Sequence, residues 1–355
     1  VGLGAATLWS ASSGYALSLG HAPSYFIVRQ FRYLPFALAL FGFCALVPLD
    51  RLRAKIGPIT LVVMATLFLP FIPGLGENRN GATRWISLGV ATFQPSEVWK
   101  PVSILYLAHI LDRRKAELSG RDALSTLIGP LFLVLVGSGI VFFQNDLSTA
   151  AIGGIAALAV FWLGSAPLSF FVGITATLAP LGALTVFTSD FRTRRILAFL
   201  YPAFEPHGQS YQVLGSIKAI QAGGLFGKGI GLGTLKLASI PAVQSDFVFA
   251  AYAEEMGFLG VLGFFVLWAV FLGRCMKKAL GETDPFRSYL GFGLSTLLGV
   301  EVLVNVAMAS GALPATGIPL PFFSAGGTSL LATGGIVGLL VNLSRPPAEA
   351  RRGDV

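Results

Sequence analysis

Long apolar runs decide what this chain can fold into. Ten of them succeed one another, with approximate limits 1–19, 33–49, 56–72, 95–111, 124–143, 147–163, 167–188, 247–273, 287–310 and 323–343. Each is close to the roughly 17–25 residues that a helix needs to cross a bilayer. In hydrocarbon the backbone must satisfy its own hydrogen bonds, which leaves helices and closed barrels. Barrel strands would show short segments of alternating polarity, whereas these runs are long and unbroken. Charged residues make up only 12% of the chain, about half the share of a soluble domain. Disordered chains, coiled coils and ordinary cytosolic enzymes are thereby excluded. The expected fold is an all-α polytopic membrane protein with about ten transmembrane helices. No internal repeat or low-complexity tract divides it, so residues 1–355 read as a single transmembrane domain. The first run has no basic segment before it and reads as a span, not a signal peptide.

Lys and Arg total 25 against 17 Asp and Glu, a net charge of +8. The basic residues sit mostly in short loops, where they orient a membrane protein, so nucleic acid is not an expected partner. One set of short loops carries Arg51, Arg53 and Lys55, then Arg113, Arg114, Lys115 and Arg121, then Arg274, Lys277, Lys278 and Arg287, with Arg345, Arg351 and Arg352 in the tail. The opposite set carries Arg29, Arg32, Arg79 and Arg84. With ten spans the first set and both termini fall on the cytoplasmic side. The longest stretch between runs, 189–246, then lies outside, between helices 7 and 8. Apolar residues such as Ile196, Phe199, Leu214 and Ile217 recur through it. Short helices on the outer membrane surface are expected there.

Cys44 and Cys275 are far apart and have no metal-ligand spacing, and His21, His109 and His207 have none either. Residues 227–233, GKGIGLG, mimic a dinucleotide fingerprint. That motif needs a preceding strand and a following helix; here a tight glycine-rich turn is expected instead.

Ionisable residues within spans are costly and therefore informative. Glu97 and Lys100 are three apart, on one helix face. Gln94-Pro95-Ser96-Glu97 has the form of a helix start, with proline early and a carboxylate in the first turn. The two form either a structural ion pair or the polar wall of a cavity. Glu254 and Glu255, and Glu301 with Asn305, read as buried networks locking helices together. Asp146 reads as the cap of the following helix. Asp246 stands at the mouth of the eighth span, after a basic loop; from spacing it is either a helix cap or a functional group.

Several ordered motifs carry a family resemblance. Phe93-Gln94-Pro95-Ser96-Glu97-Val98-Trp99-Lys100, Gln144-Asn145-Asp146-Leu147-Ser148-Thr149-Ala150, Ser245-Asp246-Phe247-Val248-Phe249-Ala250 with Glu254-Glu255-Met256-Gly257, and Pro314-Ala315-Thr316-Gly317-Ile318-Pro319-Leu320-Pro321-Phe322 are among them. Together they resemble the SEDS family (shape, elongation, division, sporulation), whose members include RodA and FtsW. The resemblance covers essentially the whole chain. Asn145 and Ser148 depart from the family pattern, as does Ala242, where an acidic residue is common.

The resemblance implies a peptidoglycan glycosyltransferase that polymerises lipid II into glycan strands outside the cytoplasmic membrane, by inverting transfer. It implies Asp246 as the catalytic residue, acting as a base or as ligand of a divalent cation, Mg²⁺ or Mn²⁺. Arg84 and Arg195 match family arginines and are expected at the pyrophosphate, with Glu97 and Lys100 lining the cavity. For each of these arginines a lipid headgroup contact is the other reading. The implied partners are lipid II, membrane lipids and a class B penicillin-binding protein that crosslinks the strands. A different class of function, a lipid II flippase or other exporter of lipid-linked sugars, would use buried carboxylates such as Glu301 for coupling. The motifs do not separate the elongation members from the division members.

Overall fold

The computed structural model describes residues 1–79, 82–87, 89, 91–118, 123–188, 190–201, 209–234 and 243–345. Arg121, His207, Lys236, Ala242, Arg351 and Arg352 lie outside the described residues. Every predicted apolar run contains a helix: α1 (Gly2–Ser18), α2 (Tyr25–Leu46), α4 (Ile56–Thr66), α5 (Pro95–Arg113), α7 (Ala123–Phe143), α8 (Leu147–Leu163), α9 (Leu168–Phe187), α12 (Val248–Leu280), α13 (Pro285–Ala309) and α14 (Gly327–Ser344). Short helices α3 (Leu49–Ala54), α6 (Lys115–Leu118), α10 (Asp190–Leu200) and α11 (Gln209–Ala222) lie between them. Among the described residues six helices are long and apolar enough to span a membrane: α2, α7, α9, α12, α13 and α14. The chain is therefore a multi-pass helical membrane protein. The other four predicted spans are helical but shorter or more polar, α1 with 17 residues being one. Helix α2 starts at Tyr25, well before the predicted limit of 33. Hydropathy marks where the apolar run begins, while Arg29 and Arg32 can extend the helix beyond it with their charged heads directed to water.

Helix ends follow local chemistry. Pro95 occupies the first turn of α5 and Glu97 its acidic position. Asp146 caps α8, its carboxylate accepting from the Thr149 N–H at 3.4 Å. One element was not anticipated: β1 (Gly76–Arg79), β2 (Ala82–Ser87) and β3 (Thr92–Phe93) form a three-stranded antiparallel sheet in sequence order. Its sequence signal is the Asn80-Gly81 dipeptide, the preferred content of a two-residue hairpin connection; both residues are outside the described set.

The chain divides into two compact units. The first comprises 1–32, 171–269 and 301–326; the second comprises 33–170, 270–300 and 327–355. In the second unit α5 packs against α4, α8 and α14. Ile104, Leu107, Leu111 and Val160 are buried there, and Trp99 packs with Leu67, Ile140 and Val141. In the first unit Phe249, Tyr252, Phe264 and Phe323 form an aromatic cluster, with Phe264 and Phe323 centroids 5.5 Å apart.

The first unit also contains a broken helix. Gly257 within α12 has φ 63° and ψ −168°, so the helical hydrogen bonds lapse around it. A segment of the glycine-rich turn replaces them. The Lys228 and Gly229 N–H groups donate to the Glu254 and Glu255 carbonyls at 3.0 Å each. In return the Phe258 and Leu259 N–H groups donate to the Gly224 and Leu225 carbonyls at 2.9 and 3.1 Å. Gly227, Gly229 and Gly231 all have positive φ, as a tight turn requires. A Cβ at Gly257 or Gly227 would strike the facing backbone. Gly257→Ala is therefore expected to lower stability by about 1–3 kcal/mol. Gly263, with nothing near its Cβ position, is the control and should tolerate alanine. Thermal midpoints and monodisperse yield in detergent measure both.

Candidate active site

Two polar groups contain the residues singled out from the sequence, one in each unit. In the second unit, Arg84 of β2 donates from Nη1 to Asp146 Oδ1 at 3.0 Å, and its guanidinium lies 4.3 Å over the Trp85 ring. Gln94 Nε2 donates to the other Asp146 oxygen at 2.9 Å, and the Ser96 hydroxyl lies 3.4 Å from it. Asp146 is thus more than a cap. Its side chain is fully buried and joins the sheet, the start of α5 and the start of α8. Sequence reasoning missed this role. The signal was present, since Gln94, Ser96 and Asp146 all belong to the motifs quoted above.

One turn further along α5, Lys100 Nζ donates to Glu97 Oε1 at 2.8 Å, with side chains only 2% and 5% exposed. Gly153 of α8 faces the Lys100 stem: a Cβ added there would meet Lys100 Cγ at 3.7 Å. The small residues of α8 thus serve close packing within this unit. The ion pair expected from the spacing is present and both its charges are buried.

In the first unit, Asp246 is half-buried, two residues before α12 begins. The adjoining backbone is fixed from two sides. Asn305 Nδ2 of α13 donates to the Asp246 carbonyl at 3.0 Å and to the Ile318 carbonyl at 2.7 Å. The Ala325 N–H donates to the Gln244 carbonyl at 2.8 Å. Phe247 and Phe249 are buried immediately after it. Arg195 of α10 lines a small cleft with Phe199, Ser210, Pro314 and Ala315. Ser210 ties the two short helices, its hydroxyl donating to the Ala198 carbonyl at 3.1 Å. The Glu254 and Glu255 network expected from sequence is present. Lys228 Nζ and the Thr234 N–H donate to Glu254 at 3.0 and 2.8 Å. The Gly231 N–H donates to Glu255 at 3.1 Å, and the Ser10 hydroxyl bonds the same oxygen.

Among the described residues no three His, Cys, Asp or Glu side chains converge as a metal cage. A hard divalent cation does not need one. Mg²⁺ is commonly held by one or two carboxylates together with substrate phosphates, and a half-buried Asp246 fits the first part of that donor set.

The family described as "Cell cycle protein", uniting FtsW, RodA and SpoVE, matches residues 1–348. The chain belongs to that family. It is 35% identical over 348 residues to a "Probable peptidoglycan glycosyltransferase FtsW" of Geobacter metallireducens, covering 96% of this chain and 90% of the relative. A protein of the same description from Halorhodospira halophila is 36% identical over 353 residues, covering 98% and 89%. Solved structures agree. One, described as "Structural coordination of polymerization and crosslinking by a peptidoglycan synthase complex", superposes with a TM-score of 0.74 and 29% identity over 96% of each chain. The rod shape determining protein RodA of Thermus thermophilus superposes with a TM-score of 0.69 and 26% identity, over 98% of this chain and 95% of that one. The family membership expected from the quoted motifs therefore holds over the whole length.

A double-mutant cycle tests the Glu97–Lys100 pair. Glu97→Gln or Lys100→Met alone leaves the other charge buried and unpaired, at a cost of about 3–5 kcal/mol. The double variant should be more stable than either single one. Melting of the purified variants in detergent reads the order directly.

Proposed function

We propose that this chain is a peptidoglycan glycosyltransferase that polymerises lipid II, with Asp246 as its catalytic residue. The relatives' common description as peptidoglycan glycosyltransferases supports the activity. The observation that carries the site is the double anchoring of the Asp246 segment, by Asn305 and by the Ala325–Gln244 bond. A reacting carboxylate needs this kind of fixed backbone, because small misplacements are costly in rate.

In the reaction the bond between C1 of the donor sugar and its pyrophosphate oxygen breaks. A bond forms between that C1 and the 4-hydroxyl oxygen of the acceptor. Asp246 takes the hydroxyl proton as general base. Negative charge develops on the departing pyrophosphate; Arg195, in the same unit as Asp246, is the proposed cation for it, and Arg84 is the second arginine that the family resemblance implies. Arg84 would act from a guanidinium already oriented by Asp146 and Trp85. Glu97 and Lys100 would form the floor beneath that group. In the alternative role, Asp246 would instead hold Mg²⁺ or Mn²⁺ together with substrate phosphate, and the cation would stabilise the leaving group.

We place the protein in the bacterial cytoplasmic membrane and propose that both termini lie inside and 189–246 outside. One structural observation supports the grouping of the basic short loops on one side. Arg53, in α3 between α2 and α4, pairs with Asp112 at the end of α5 and lies 3.8 Å from Asp284, just before α13. Three segments assigned to the cytoplasmic side thus meet. A class B penicillin-binding protein is the proposed partner, supplying the crosslinking chemistry for which this chain has no motif.

Two measurements test these proposals. Asp246→Asn should fold normally yet form glycan polymer from lipid II at least about a hundredfold more slowly, the low end for loss of a general base. Normal polymerisation by the folded variant would remove Asp246 from the chemistry. Lipid II translocation by the unaltered protein without any polymer would indicate an exporter. For topology, Lys218→Cys and Lys277→Cys, both at exposed positions, are placed singly in a background without Cys44 and Cys275. An impermeant thiol reagent should label them from opposite sides; labelling from one side overturns the ten-span orientation.

A further inference from the structure

A cavity of about 470 Å³ lies in the second unit, where α12, α13 and α14 end or begin. That volume falls within the roughly 300–1,000 Å³ of small-molecule sites. Phe271, Leu340 and Val341 line it with apolar surface; Arg274, Lys278 and Arg287 add three cations and Glu282 one carboxylate. The carboxylate is already neutralised. Lys278 Nζ lies 2.8 Å from one of its oxygens and Arg287 Nε 3.2 Å from the other. Arg287 is further committed through Nη2 to the Leu343 and Arg345 carbonyls, at 2.9 and 2.8 Å. With three cations against one anion, the lining is left with a surplus of two positive charges. Arg274 is exposed at the rim.

The position of this charge matters. The apolar part of α12 ends at Phe271 and Leu272, and the basic residues begin at Arg274. The cavity therefore has an apolar wall on the side of the hydrocarbon and cations at the level of the lipid headgroups. We infer that it is a binding site for an anionic phospholipid, with Arg274 and Lys278 on the phosphate and Phe271, Leu340 and Val341 against the first part of an acyl chain. Basic pockets between membrane helices take anionic headgroups by this combination of charge and apolar contact. A zwitterionic lipid satisfies the apolar wall but carries its own cation into a lining that is already positive. The site is separate from the proposed chemistry: neither Asp246 nor Arg84 lines it.

Cys275 also lines the cavity and provides a local probe. The full-length protein, with Cys44→Ser, is placed in nanodiscs of phosphatidylcholine alone or of an equal mixture with phosphatidylglycerol. Phosphatidylglycerol should slow maleimide labelling of Cys275 severalfold. In native mass spectrometry the protein should retain phosphatidylglycerol in preference to phosphatidylcholine. Removing charge with Arg274→Gln and Lys278→Gln should reduce that preference by about fivefold for each cation lost. Arg274→Lys with Lys278→Arg keeps the charges and should keep the preference, which separates lipid binding from misfolding. Equal retention of the two lipids, or a preference untouched by the charge-removing pair, overturns the proposal. So does protection of Cys275 by soluble glycerol phosphate equal to that by the lipid, since the ligand would then be a free phosphate. Cys275 that is slow to label in phosphatidylcholine, and fast once residues 346–355 are deleted, would make the chain's own tail the occupant and also overturn it.

Discussion

A backbone polar group inside a membrane protein must find a partner, and at Gly257 this fold meets that need between segments instead of within one helix. The break in α12 would leave the Glu254 and Glu255 carbonyls and the Phe258 and Leu259 N–H groups without helical partners. The turn at 224–229 supplies partners for all four. The exchange ties the segment that follows α11 to the helix that follows Asp246. It also delivers Lys228, Gly231 and Thr234 to the two buried glutamates. Glycine is needed on both sides of the contact, because a Cβ on either would strike the other backbone. The order of the first unit around Asp246 depends on this pairing and on Asn305, which reaches the backbone at both 246 and 318.

The second unit is organised by charge. Asp146 gathers Arg84, Gln94 and Ser96 at one end of α5, while Arg53 meets Asp112 and Asp284 at the other. Between them the Glu97–Lys100 pair lies buried beside α8. Buried ion pairs seldom add net stability over apolar packing, because desolvation is expensive. Where the carboxylate joins two elements its value is registry: Asp146 at the start of α8 accepts from Gln94 at the start of α5, so sliding either helix would strand it, whereas the Glu97–Lys100 pair lies within α5. The run Ala150-Ala151-Ile152-Gly153-Gly154 takes part in the same packing. Ile152 and Gly153 are buried, so the close approach that small residues permit is spent, at least there, within the unit.

Much of the candidate site was legible in the sequence. Intramembrane charges are too costly to be incidental, so Glu97, Lys100, Glu254, Glu255 and Glu301 stood out at once. The helix starts at Pro95 and Asp146 followed from local capping chemistry, and both are present. The glycine-rich turn was distinguished from a dinucleotide loop by its missing strands. Spacing could not show that Arg84 and Gln94 share Asp146, because the partners are 62 and 52 residues away along the chain. The small sheet also went unanticipated. Its strands are two to six residues long, too short for an alternation pattern to register.

The sequence by itself determined that the chain crosses a membrane as helices, roughly where those helices lie, and to which family it belongs. Those features rest on hydropathy, capping and ordered motifs, all local along the chain. Only the tertiary structure decided which polar groups satisfy one another: Asp146 with Arg84, Lys100 with Glu97, the glycine-rich turn with the broken helix, and Arg287 with the end of α14. A buried hydrogen bond or ion pair depends on distance and direction in space. Residues far apart in sequence acquire those only when the helices that carry them pack.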